Sequence, residues 1–460
     1  MRGSEAESGG HCRKWWPATL VGIAGLVSGC WLPFPSAVEL DPVSYPGRVG
    51  VPGQVLLPSL KSEPVPGWRV DLNKILSEPV RINPEFIGND GNRAYFTVEY
   101  LVRTKGLRKT AVLGIDVSNG TTLFPPVDIP DARSADCFLN GPRRLVCVND
   151  LLSDDRDDVW VVDSDAGAII AHVPTGLRPQ QEGARALEVK QVGNYAVALE
   201  TGVGAHGIGD QGQLTWSVAG DGDLLSTFDR SRFPGDPPAT VAATMNADGP
   251  ETVFSVVDGA VLAENVDRQV EPVIGGYMVD ERRGRGSQVF GFYDEKGTKV
   301  GEYRPPKGAS AVPTGEGELP VLAINLDDAQ LVLDNHGTPM SVVRTENAVA
   351  DRFLGEHLFI NHDLGVHGRD VVWKKFDLTT GDQVSACSGV PLGAMDFVGS
   401  DGTVVIGRFE RDGALTAVDT NTCETLWQIA DPPAMWAVGS TLVQLLPQSA
   451  EFTALVPPTR

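Results

Sequence analysis

One plan recurs seven times along the chain and constrains its fold more than any other feature: a short apolar strand, an acidic turn ending in glycine, and a second strand. The segments are AVLGIDVSNGTTLFPPV, VWVVDSDAGAIIAHV, LTWSVAGDGDLLSTF, VFGFYDEKGTKVGEY, LVLDNHGTPMSVV, WKKFDLTTGDQVSAC and LTAVDTNTCETLWQI. Their turns end at Gly120, Gly167, Gly222, Gly297, Gly337, Gly381 and, with cysteine in place of glycine, Cys423, so the intervals are 47, 55, 75, 40, 44 and 42 residues. An Asp or Asn side chain closes its own turn by accepting nearby backbone N–H groups, and glycine supplies the positive φ that completes a hairpin. Four short strands with their turns need about 40 to 45 residues, the size of one propeller blade.

Other runs fit the same plan. RAYFTVEYL, RLVCVND, NYAVALE, GYMVDE, PVLAINL, EHLFI and GTVVIG each precede a hairpin as further strands. TLVQLL and EFTALV follow the last hairpin with no partner, and GWRVDL, near the start of the body, supplies a free strand to complete that final blade. Closing a ring with strands from both termini removes exposed edges. The expectation is therefore an all-β single β-propeller, with eight blades the preferred count and seven the alternative. The 75-residue interval is the irregular one; it holds ETVFSVVDGAVL, either an inner strand or the trace of another blade. Separate β-sandwiches would not explain a hairpin recurring near every 42 residues.

At these hairpins the chain resembles the bacterial PQQ-like propeller repeats, which run apolar strand, Ala-Leu-Asp, a short turn with Thr-Gly, and a strand ending in Trp. The closest stretch is Leu415 to Trp427, followed by Phe376 to Gly381. Trp427 stands eight residues after its Asp, but Phe124, Ala171 and Ser385 occupy that place elsewhere. The resemblance implies the propeller fold over about residues 66 to 460. The adjacent Cys-Cys pair of PQQ-dependent alcohol dehydrogenases is missing, so no cofactor is expected.

Arg2, Arg13 and Lys14 precede an apolar run from Trp15 to Val27, which ends at Ser28-Gly29-Cys30. About a dozen apolar residues fall short of the roughly 20 needed to cross a bilayer, and the layout is that of a secretory signal. Val27-Ser28-Gly29-Cys30 resembles the cleavage motif of bacterial lipoprotein precursors, which implies that Cys30 is lipidated and begins the mature chain. The expected organisation is a signal peptide at 1–29, a Pro-rich tether at 30–66 and the propeller at 67–460. The alternative for the Pro-rich stretch is an extended strap packed on the propeller. Four cysteines remain in the exported body, an even number in an oxidising compartment. Cys137 and Cys147 lie equidistant from a turn and are expected to pair across a hairpin. Cys387 and Cys423 pair by elimination, although their places in the repeat differ, and such a bridge would join neighbouring blades.

Other motifs are read as structural. Gly202-Val-Gly204-Ala-His-Gly207 spells a dinucleotide loop but leads into a strand, not the required helix. His357, His362 and His367 are spaced so that a strand turns them to alternating faces. The run from Asp154 to Asp158 lacks the spacing of a calcium loop. No catalytic residue and no metal ligand is assigned. The formal charge is −22, and removing residues 1–29 takes three basic and two acidic residues with it. Such a surface disfavours nucleic acid and favours cationic partners. The reading is a lipid-anchored, non-enzymatic binding or assembly scaffold on the extracytoplasmic face of the cell membrane or in the periplasm. Its partners would be envelope or secreted proteins. A quinoprotein-like or other propeller enzyme and a glycan- or peptide-binding sensor or adhesin are the alternatives.

Overall fold

The computed structural model describes residue 40 and residues 43–459, apart from 77–78, 103–106, 131, 133, 150–157, 175–176, 179–186, 226–234, 246–248, 267–268, 283–287, 315–316, 326–327, 346–348, 364–370, 394–396, 409–412 and 447. Lipidation of Cys30 and the signal segment 1–29 lie outside the described residues.

The second and third strands of the expected blades are apolar along their whole length rather than at alternate positions. RLVCVN, YAVALE and VVIGR are buried through their centres, while the outer strands AIIAHVP and QVSACS are mostly exposed. A sheet covered on both faces needs continuous apolar strands, whereas one at the rim does not. The sheets obey this: blades stack face to face, and within them most strands pair antiparallel with the next in sequence, the short strand Leu177–Arg178 running parallel to its neighbour.

Among the described residues there are nine sheets. Eight of them span residues 79–129, 135–174, 177–219, 224–266, 270–303, 311–344, 349–388 and 397–429. The ninth takes three strands from Met435–Val438, Thr441–Leu446 and Glu451–Val456, and its outermost strand, Val65–Asp71, from the other end of the body. The closure by both termini is as expected, but the count of eight, or seven, is corrected to nine. Nine apolar clusters agree with it, one at each junction between neighbouring blades. At the closing junction Phe96 of the first blade packs against Phe452 of the ninth with centroids 4.5 Å apart and rings tilted by 37°, and Trp436 meets Phe96 edge-on at 5.4 Å.

The missing blade lay in the 75-residue interval. Its strands are Val241–Ala243, Glu251–Ser255 and Val261–Val266, with a single bridge from Leu224 to Thr244 in place of a first strand. Its last hairpin turns at Gly259, but Ser255 stands where other blades have Asp. Ser255 does the same work more weakly: its Oγ accepts the N–H of Val257 at 3.3 Å and its carbonyl accepts that of Gly259 at 2.9 Å. The third blade also departs, because its last hairpin turns at Gly209–Gly212. Gly222 belongs to the connection between the two blades, with backbone of Glu200 and Thr201 pressed against it.

Because strands alternate in direction, all first-to-second and third-to-fourth turns emerge on one side of the ring, here the turn face. The second-to-third loops emerge on the other, the loop face. First strands of adjacent blades lie together at the centre, as Pro79–Asp90 does with Ala135–Leu139 and Met435–Val438. No helix among the described residues is long and apolar enough to cross a membrane.

Candidate functional site on the turn face

Each of the eight third-to-fourth turns contains an aspartate: Asp116, Asp163, Asp210, Asp258, Asp294, Asp334, Asp377 and Asp419. The repeat therefore gathers these carboxylates on one face. They are fixed as well as gathered. Asp294 accepts the N–H groups of Lys296 and Thr298 at 2.9 and 2.8 Å, Asp334 those of His336 and Thr338 at 2.8 Å, and Asp377 that of Thr379 at 2.7 Å. These donors favour the charged form. The Ser118 hydroxyl and amide hold Asp116 below the usual carboxylate range, the amide of Ala166 does so for Asp163, and the amide of Thr298 for Asp294.

Neutralising cations are distributed unevenly. Arg93 and Arg143 reach Asp165 at 2.6 and 3.3 Å, and Arg144 reaches Asp163 and Asp210 at 2.8 and 3.1 Å. These arginines serve the second and third blades. The sixth to eighth blades add exposed Glu356, Asp382 and Glu424 to their turn aspartates. Their own Lys375 is buried at 1% exposure: its ammonium donates to Thr420 Oγ1 at 2.9 Å and Asn421 Oδ1 at 2.8 Å, and Asp419, Asp377 and Asp401 favour its charge from the turns around it. Burial pushes its pKa down.

Across this face runs the segment 43–64. Of the residues expected as a tether, this part lies along the ring as a strap. Tyr45 donates its hydroxyl to Asp334 at 3.0 Å, and Val49 and Val51 are buried with Leu319, Phe353 and Leu358. The amide of Leu57 reaches Ser400 O at 2.9 Å, that of Leu60 reaches Asp401 Oδ2 at 2.8 Å, and Trp427 Nε1 donates to Leu60 O at 2.7 Å. Such a path leaves no run of apolar period because the strap alternates between prolines and isolated anchors. At its middle, Gln54 is held from three directions. Its amide nitrogen donates to Asp236 Oδ1 and Phe353 O, both at 2.8 Å, and its oxygen accepts the N–H of Gly355 at 2.8 Å.

Beneath Gln54 lies a group the sequence did not disclose. Glu318, 2% exposed, sits beside Asp236, and Arg352, 3% exposed, lies near both. Desolvation pushes half-buried Asp236 up to about 6 against the hydrogen bond from Gln54, and burial pushes Glu318 well above the usual carboxylate range, the latter helped by the charge of Asp236, while Arg352 opposes both shifts. The guanidinium of Arg352 also covers the Phe397 ring at 4.1 Å. These residues come from four separate segments, so no spacing could reveal them. The one local signal is an arginine inside the strand-like VADRFL.

Cys137 and Cys147 are directly opposite in an antiparallel pair and form a disulfide, with Cα atoms 4.0 Å apart. Cys387 and Cys423 form a second, with Cα atoms 5.4 Å apart. It joins the outer strand of the seventh blade to the last turn of the eighth. Their unequal repeat positions compared places within one blade, whereas the bridge crosses a junction.

The other motifs do not converge. Gly204–Ile208 is a strand, so the glycine motif opens no helix. His357 and His362 share the strand His357–Asp363, and His367 lies outside the described residues. Asp154 to Asp157 also lie outside them; Asp158 contacts His172 at 3.4 Å. Among the described residues no group of three His, Cys, Asp or Glu is arranged to hold a metal.

Residues 41–458 match the family described as a conjugation-associated 9-bladed beta-propeller domain. An uncharacterized protein of Mycolicibacterium smegmatis (strain MKD8) is 28% identical over 475 residues, covering 96% of this chain and 94% of its own. Among solved structures, a eukaryotic initiation factor is similar with 11% identity and a TM-score of 0.43, covering 84% of this chain and 94% of that one. Dihydro-heme d1 dehydrogenase follows at 13% and 0.36, with 78% and 77% covered. A europium-containing methanol dehydrogenase gives 13% and 0.32, with 85% and 84% covered.

Proposed function

From the premise that this chain belongs to the family of conjugation-associated nine-bladed β-propeller domains, we propose that it is a non-enzymatic binding scaffold of a bacterial conjugation apparatus. It would be exported and anchored through lipid on Cys30 at the extracytoplasmic side of the membrane. The observation that carries this reading is the turn face: eight aspartates on a rigid ring, several fixed by their own turn amides. The sixth to eighth blades, whose turn acids form no ion pair among the described residues, give that face a direction. A ring of this kind presents charge without moving, which suits docking of a cationic segment of another envelope protein. Two disulfides support an oxidising location.

The test is cell fractionation with pull-down from cross-linked donor cells. The wild-type chain should enter the detergent phase and recover a discrete envelope protein in a salt-sensitive complex, and transfer frequency should fall when the gene is deleted. A Cys30→Ala variant should leave the detergent phase. Unchanged transfer on deletion, with no partner recovered, would defeat the scaffold reading; detergent partitioning of Cys30→Ala would defeat the anchor.

A further inference from the structure

The two disulfides differ in how a solute reaches them. Cys147 is buried beside Trp160 in the second blade, and Cys137 is half-buried against it. Cys387 is also buried, at 3% exposure, but its partner Cys423 is exposed at the tip of the eighth blade's last turn. Backbone geometry sets that residue apart. Cys423 stands at φ 63°, where Gly120, Gly167, Gly297, Gly337 and Gly381 of the matching turns stand between 61° and 78°. An L side chain is disfavoured in that left-handed region, so turn chemistry alone does not select a cysteine. The surroundings of Cys423 are anionic. Asp419 and Glu424 lie in the same turn, and Asp377 and Asp382 in the last turn of the seventh blade. Asp419 accepts the amides of Asn421 and Thr422 at 2.8 and 3.3 Å, and Glu424 accepts the Thr422 hydroxyl at 3.5 Å. On the buried side, Cys387 Sγ lies 3.8 Å from Thr420 O, a seat for a thiol proton. Lys375 and Ser385 hold Thr420 independently of the sulfur bond, the first at Oγ1 and the second at the carbonyl, so the blades stay in contact when the bridge opens.

We infer that Cys387–Cys423 is a thiol-exchange site, opened at Cys423 by a protein dithiol whose reactive cysteine is flanked by basic residues. The incoming thiolate attacks Cys423 Sγ and forms a mixed disulfide as the Cys387–Cys423 bond breaks. Cys387 leaves with the electron pair, takes a proton from water and turns its S–H to Thr420 O. The partner's second thiol gives its proton to water and attacks its own sulfur in the mixed bond, releasing Cys423 as thiolate. Two electrons pass in all: the partner ends as a disulfide and this bridge as two thiols. Burial blocks attack at Cys387, and the carboxylates around Cys423 repel an anionic thiolate unless basic residues accompany it.

The full oxidised chain, treated with dithiothreitol at about pH 8, is alkylated and mapped by peptide mass spectrometry. Cys387 and Cys423 should be labelled at least about tenfold faster than Cys137 and Cys147, with the circular dichroism of the fold unchanged. Cysteamine, mercaptoethanol and mercaptoethanesulfonate then probe charge, since they carry cationic, neutral and anionic groups beside similar thiols. Acid-quenched mixed disulfides should sit on Cys423, and initial rates per thiolate should fall in that order by about tenfold overall, converging in molar salt. Glu424→Gln should narrow the spread. Equal labelling of the two bridges, opening only on unfolding, or adducts on Cys387 would overturn the exchange site. Rates level across the three thiols, or indifferent to salt, would overturn its preference for a basic partner.

Discussion

Single side chains decide how the blades are joined. Lys375 is buried where the seventh blade meets the eighth, and Cys387–Cys423 spans the same junction a short way outward. Lys375→Ala should cost about 2 to 4 kcal/mol, because it opens a cavity and strips Thr420 and Asn421 of their donor. Lys375→Met keeps the volume and should recover about half. Cys387→Ser with Cys423→Ser should cost about 2 to 4 kcal/mol through the freed 36-residue loop. Because both act on one junction, combining them should give a non-additive loss in a thermal-unfolding cycle. Full additivity would show that the two contacts act separately.

Elements were more legible than their count. An aspartate followed by glycine marks five turns, and Asp419 followed by Cys423 a sixth, because those residues solve one geometric problem, closing a tight hairpin whose acid caps its own amides. The marker disappears where another residue solves it: Ser255 in the fourth blade, and Gly209 with Gln213 in the third, whose side chain accepts the Gln211 amide. Two successive departures hid a blade. Buried Arg352 and Glu318 were illegible for another reason, since their partners are brought together only by ring closure. Asp377→Ala should destabilise by about 1 kcal/mol, and Ser255→Asp should stabilise by about 0.5 kcal/mol, in line with the value of such side-chain caps. Chemical denaturation of the two variants would check both signs.

For the whole molecule, closure is the controlling event. The strand Val65–Asp71 completes the ninth blade, and Trp68 Nε1 donates to Val117 O of the first at 2.8 Å, so one short segment ties the ring's two ends. A chain beginning at residue 72 should lose cooperative unfolding and expose apolar surface to dye. One beginning at residue 65 loses only the strap and should stay closed with a lower melting temperature. Equal behaviour of the two would mean that the closing strand contributes nothing special.

The central claim is that this closed ring docks its partner by the acidic turn face. Photo-cross-linking in intact donor cells tests it most directly, with the reactive side chain placed at Ser118, Lys296 or Thr380 on the turn face and at Leu107, Val203 or Asp328 on the loop face, all exposed positions. A discrete cross-linked envelope protein is expected from the turn-face positions, strongest at Thr380 on the seventh blade and weakened by added salt. Cross-links formed only from the loop face, or equally from both faces regardless of salt, would contradict it.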